Sequence, residues 1–121
     1  MGYKKLAVYE RSYKAALAVH RIRERFPVKE RYSMGDQIWR AAISIPMNIA
    51  EGYGKQDSTA EFKRYLRMAM GSSNEVKVLL DFAKDLEYID LKVYERAVRE
   101  YDEIGRMLHG LIQSKVRISN N

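Results

Sequence analysis

No cysteine occurs in the 121 residues, which removes disulfide frameworks and thiolate chemistry together and leaves a reducing compartment compatible with the chain. Proline is almost as scarce, with only Pro27 and Pro46, so a linker-rich or disordered organisation is excluded. No window approaches the ~20 apolar residues of a membrane span, and the opening MGYKKLAVYERSYKAA lacks the unbroken apolar core of a secretory leader. The expectation is one cytoplasmic domain over residues 1–121, with no membrane partner. Histidine is limited to His20 and His109, and neither has an i,i+4 histidine or a ligand-spaced cysteine, so zinc is not expected. The Glu-x-x-His pairs of carboxylate-bridged bundles are missing as well, since Leu17 and Arg106 stand three positions before the histidines. Gly52-Tyr53-Gly54-Lys55 has neither the length nor the setting of a phosphate loop. No catalytic residue, metal ligand or cofactor site is assigned, and the chain is expected not to be an enzyme.

What the chain does have is helical periodicity. Residues 33–54, SMGDQIWRAAISIPMNIAEGYG, place Ile38, Ala42, Ile45, Ile49 and Tyr53 on one stripe and Trp39, Ile43, Pro46 and Ala50 on a second beside it. A helix apolar over most of its circumference must be covered on more than one side. Pro46 cannot donate to the carbonyl of Ala42, so a bend is expected there, with Ser44 and Asn48 placed to serve the freed carbonyl. Ser33 is expected to cap this helix, and Gly54 to close it in a left-handed conformation.

Three more helices flank it, over about residues 6–25, 59–87 and 91–115. Ser58-Thr59-Ala60-Glu61 reads as a capping box, and Asp90 as the cap of the last helix. The third helix carries bundle-spaced Phe62, Tyr65, Leu66, Ala69, Ser73, Val76, Leu79, Leu80, Ala83 and Leu86, and the fourth Tyr94, Ala97, Val98, Tyr101, Ile104, Leu108, Leu111 and Ile112. Gly71, Ser72 and Ser73 interrupt the large side chains, which predicts a close helix approach near the Pro46 bend. Short connections make an all-α, antiparallel up-down-up-down four-helix bundle the expected fold.

The first helix has two apolar faces and a basic one. Leu6, Tyr9, Tyr13, Ala16, Leu17 and His20 form one stripe, read as the core face with His20 inside it. Val8, Ala15, Val19, Ile22 and Phe26 form another, roughly 140° away, read with Trp39 as an interface between copies. Lys4, Arg11, Lys14, Arg21 and Arg25 gather on the remaining arc. Residues 1–40 hold ten Lys/Arg against four Asp/Glu, and residues 41–121 hold twelve of each, so the whole surplus of six lies in the first third. A localised surplus of that kind attracts phosphates, which makes this arc the candidate nucleic-acid-binding surface; a merely solvated face is the alternative.

The run Gln37-Ile38-Trp39-Arg40-Ala41-Ala42-Ile43-Ser44-Ile45-Pro46-Met47-Asn48-Ile49-Ala50-Glu51-Gly52 resembles the signature of the four-helix-bundle family that includes proteins encoded in 23S rRNA intervening sequences. The spacing to Ser58, Glu61-Phe62, Leu66, Ala69 and Gly71-Ser72 is similar too. Trp39 departs from the pattern, where Arg is frequent, and Met47 departs where Ser is. The resemblance implies a homopentameric, barrel-like ring without known enzymatic activity. It also implies kinship in fold with the accessory variability protein of diversity-generating retroelements, which binds a reverse transcriptase and nucleic acid. The expected partners are therefore further copies of the chain, RNA or DNA, and a reverse transcriptase or other nucleoprotein. Arg40, Pro46, Asn48, Glu51 and Gly52 match motif positions and are read as structural, with Arg40 expected to pair with Glu51 or with a neighbouring subunit.

Overall fold

Ser58 Oγ accepts the amide of Glu61 at 3.2 Å and Asp90 Oδ1 that of Val93 at 2.8 Å, so two of the long helices begin where their capping residues stand. In the computed structural model, which describes residues 2–120 and the side chains of residues 2–114, all regular structure is helical. A 3-10 turn at Gly2–Lys5 precedes α1 (Ala7–Arg23), the single turn α2 (Val28–Arg31), α3 (Met34–Tyr53), α4 (Thr59–Asp85) and α5 (Leu91–Asn120). The last helix thus continues beyond the end expected near residue 115. Among the described residues no helix is long and apolar enough to cross a membrane.

The four long helices enclose one hydrophobic core. α3 packs between α1 and α4, and α5 closes the arrangement against α4 and, over the sparsest of the four seams, against α1. Close pairs fix the order along each seam: Ser44 and Ser72 share a hydrogen bond of 2.8 Å, whereas Gly52 lies against Tyr65. Ser73 Oγ donates to the Tyr101 carbonyl at 3.4 Å, whereas Tyr94 donates to Asp81. A Cβ on Gly52 would stand 2.8 Å from Tyr65 Cβ, so glycine there sets how near α3 lies to α4. Ser72 and Ser73 make the close approaches expected of the small-residue run, but Gly71 faces open space.

Several local expectations are corrected. Ser33 does not cap α3; its hydroxyl donates to Glu30 Oε1 at 2.5 Å, while Asp36 in the first turn is taken by Arg23 Nη2 at 2.6 Å. Asn48 Nδ2 donates to the carbonyl and hydroxyl of Ser44, at 2.8 and 3.0 Å, rather than to the carbonyl of Ala42. Pro46 lies within α3, as expected, and is buried. Gly54 is right-handed, at φ −65°; the left-handed closing residue is Glu87, at φ 61°, where the Tyr88 amide returns to the Ala83 carbonyl at 2.8 Å.

The largest correction concerns α1. Val8, Ala15, Val19, Ile22 and Phe26, expected at an interface between copies, lie in the core of this one chain, and Val19 and Phe26 are each only 1% exposed. Tyr13, Leu17 and His20, expected inside, are on the surface. The reason is polarity. The Val/Ala/Ile/Phe set can be dried without losing a hydrogen bond, whereas tyrosine and histidine carry groups that need a partner once buried. Ser12 completes the true stripe between Val8 and Ala16, buried, with its hydroxyl returned to the Tyr9 carbonyl at 3.1 Å.

Candidate functional site

Rotating α1 so that Val19 and Ile22 point inward brings its basic arc beside α5. The sparse seam between the two helices opens there into a groove of about 530 Å³. Lys14 and Arg21 stand around it from α1, Arg25 from the turn that follows α1, and Arg96 from α5, all exposed. Ala15, Ala18 and Ala97 keep its walls thin, and the buried Val19 and Tyr101 lie beneath. On α1 Lys14 and Arg21 stand seven residues apart, about 10 Å at 1.5 Å per residue, and Arg25 follows in the turn beyond the helix end.

The cations are not equivalent. Arg11 is held by Glu100 through two hydrogen bonds, 2.8 Å from Nε and 3.3 Å from Nη2, which raise its pKa further and close that end of the groove. Lys14 reaches back to Glu10 Oε1 at 3.0 Å, a solvent-exposed pair one turn apart and therefore weak. Arg21, Arg25 and Arg96 have no carboxylate partner among the described residues. Lys4 lies apart, exposed in the 3-10 turn, outside the groove lining. Of the five cations expected to act together, Lys14, Arg21 and Arg25 share the groove; Arg11 is neutralised at its end and Lys4 is elsewhere.

Two groove residues were missing from the sequence expectation. Arg96 was not among the expected cations, and matching the polar face of the last helix against the basic arc of the first would have found it. Tyr101 was assigned to the core, where it is, 1% exposed; its hydroxyl has no hydrogen-bond partner among the described residues. Burial, with a smaller contribution from the Glu100 carboxylate, pushes the phenol above its ordinary pKa and keeps it protonated.

Residues 4–110 match the family model described as 23S rRNA-intervening sequence protein. The chain belongs to that family. A crystal structure from Bacteroides thetaiotaomicron, described as a protein of unknown function from the S23 ribosomal protein family, is similar to it at 29% identity and a TM-score of 0.79; the match covers 88% of this chain and 98% of that one. Among curated proteins none matches.

In this member of the 23S rRNA-intervening sequence protein family a second groove, of about 320 Å³, follows the opposite side of α1, against α3. Tyr9, Tyr13 and Leu17 line it from α1, and Trp39, Ile43 and Met47 from α3. Tyr13 is 50% exposed and Met47 63%, and the Trp39 indole meets the His20 ring edge-on at 4.9 Å. Trp39 thus keeps its place as a contact candidate, whereas the five α1 residues grouped with it do not. A separate exposed row, Met68, Val78 and Phe82, follows the outside of α4 past the open Gly71. Arg40 and Glu51 are both exposed, and no bond joins them. Among the described residues no group of three or more His, Cys, Asp or Glu could hold a metal ion.

Proposed function

We propose that this protein is a non-enzymatic, antiparallel up-down-up-down bundle that assembles into a ring of identical copies and binds RNA or DNA through the groove between α1 and α5. The observation that carries the reading is that Arg21 from α1, Arg25 from the turn after it and Arg96 from α5 line one groove without carboxylate partners among the described residues. Guanidinium groups left unpaired on a surface are suited to phosphate, which they grip in bidentate fashion. The family description, which refers to 23S rRNA, favours RNA as the polyanion.

Assembly is supported by two apolar rows on different sides of the bundle, the α1–α3 groove and the outside of α4. Two unlike faces suit a head-to-tail contact, which repeats until it closes into a ring. Five copies is the number implied by the resemblance. Each copy then adds one basic groove, and linked weak sites bind far more tightly than any one of them.

Filter binding to structured RNA at rising salt tests the proposal. Four cations per chain give a log–log slope of roughly 3 to 4 on duplex DNA and about 3 on single strands. Replacing Arg21, Arg25 and Arg96 together with Glu is expected to lower affinity about a hundredfold or more at low salt, with circular dichroism unchanged. Binding that ignores salt, or survives the triple reversal, rules the reading out. The alternative, an adaptor that takes a protein such as a reverse transcriptase on its apolar rows and makes no nucleic-acid contact, predicts partner capture untouched by the reversal.

A further inference from the structure

The outer rows of α3 and α4 match each other in length, charge order and apolar content. On the outside of α3, Arg40, Ile43, Met47 and Glu51 follow at intervals of three, four and four residues, so a cation and a carboxylate bracket a short apolar stretch. Along the outside of α4, Arg64, Met68, Gly71 and Glu75 follow at intervals of four, three and four. Each row advances eleven residues, about 16 Å at 1.5 Å per residue. Met47 is 63% exposed and Met68 45%, and Gly71 leaves a gap in the α4 row, since a Cβ there would meet nothing within 4 Å. Arg40, Glu51 and Glu75 are exposed and form no ion pair among the described residues. Arg64 is held by Glu61, whereas Arg67, three residues on, has no carboxylate partner among the described residues.

We propose that neighbouring copies join by laying the outer row of α3 antiparallel along the outer row of α4 of the next copy, so that Arg40 binds Glu75 and Met47 packs on Met68. This pairing rests on the assembly reading above and gives it an orientation and a register. Ile43 then lies over the gap at Gly71, and Glu51 comes to the turn that carries Arg64 and Arg67. Each end of the apolar contact is closed by opposite charges, which choose the partner and its direction more than they add affinity. Other pairings of these rows are worse. A parallel arrangement sets Arg40 against Arg64 and Glu51 against Glu75. Two α4 rows, laid parallel in register or antiparallel about the midpoint between Met68 and Phe82, bring Glu75 against Glu75. Two antiparallel α3 rows pair Arg40 with Glu51, but they set Met47 against Ser44, whose hydroxyl is already shared with Ser72 and Asn48, and leave α4 uncovered. The occupant that satisfies both rows at once is a second copy of this chain.

The test uses the full chain, which has no cysteine of its own. One chain with Met47→Cys and another with Met68→Cys, told apart by a size tag, are co-expressed and oxidised. Disulfides are expected between unlike chains and not between like ones, because each methionine faces the other and not itself. Light scattering of charge variants then checks the orientation. Arg40→Glu and Glu75→Arg are each expected to weaken assembly about tenfold or more, and the two reversals together to restore most of it, with circular dichroism unchanged throughout. Disulfides between like chains, single reversals without effect, or a loss in Arg40→Glu that Glu75→Arg does not repair overturn the pairing and leave assembly through other faces standing. A wild-type chain that stays monomeric at every working concentration overturns the pairing and the ring together.

Discussion

The two grooves that flank α1 share a helix and differ in almost every physical respect. On the α5 side the seam is sparse, the walls are alanine, and of the four surrounding cations Arg21, Arg25 and Arg96 have no carboxylate partner among the described residues. On the α3 side the lining is aromatic and aliphatic, with Tyr13, Leu17, Trp39 and Met47 left partly in water. Cations around a recess attract a solvated, charged ligand and lose their grip as salt rises. Exposed aromatics gain by being covered, with little dependence on salt. One helix can therefore serve two different partners without competition between them, provided that its third face is fixed in the core.

That condition is the first place to break the comparison. Val19→Glu puts a charge where the side chain is 1% exposed, between the two grooves, and is expected to destabilise the chain by about 4 kcal/mol or more. Urea denaturation followed by circular dichroism measures it. A well-folded Val19→Glu chain that had merely lost its self-association would return this face to the outside and dissolve the distinction between the grooves.

The same helix shows how far the sequence could be read. Element existence and the core stripes of α3, α4 and α5 were legible because each of those helices has one dominant apolar side, or in α3 two adjacent ones. Buried Ile38, Ile45, Leu66, Leu80, Ile104 and Leu108 all lie where the periodicity put them. In α1 two apolar stripes roughly 140° apart compete, and spacing alone cannot choose between them. The choice was visible in side-chain chemistry, since one stripe contains two tyrosines and a histidine and the other no polar atom beyond the backbone. Once the wrong stripe is turned inward, the site goes astray with it: the basic arc no longer faces α5, and Arg96 and Tyr101 drop out. Arg11 was lost for a different reason, since its partner Glu100 is 89 residues away and only the folded seam brings them together.

A smaller effect on the chain, but a decisive one for the apolar groove, is expected from Leu17→Glu combined with Met47→Glu. Both side chains are exposed, at 43% and 63%, so the unfolding free energy of the chain should change by no more than about 1 kcal/mol. Light scattering should nevertheless show smaller assemblies, because two charges would have to be dried at the contact. RNA affinity should then fall only through lost multivalency, with the salt slope per chain preserved. Unchanged assembly size in the double variant would remove this groove from the contact between copies and leave the outer row of α4 to be tested.

The finest distinction lies at the end of α1, where two polar latches hold the connection to α3. Toward α3, Arg23 binds Asp36 at 2.6 Å and the Arg31 carbonyl at 2.9 Å. Toward the connection between α4 and α5, Glu30 accepts hydrogen bonds from Ser33 and, at 3.0 Å, from the Tyr88 hydroxyl. Ser33 first and Tyr88 second hold the Glu30 carboxyl below the usual carboxylate range, because both bonds favour the charged form. A depressed folded-state pKa gives stability that is present above the unfolded value, about 4.3, and is lost as pH falls through the lower folded value. Thermal unfolding of the wild type and of Glu30→Gln should therefore differ by a constant small interval from neutral pH down to about 5.5, and that interval should narrow below about 4.3 as the wild-type carboxyl takes up its proton. An interval that stays constant down to pH 3 would mean that the Glu30 bonds do not depend on its charge.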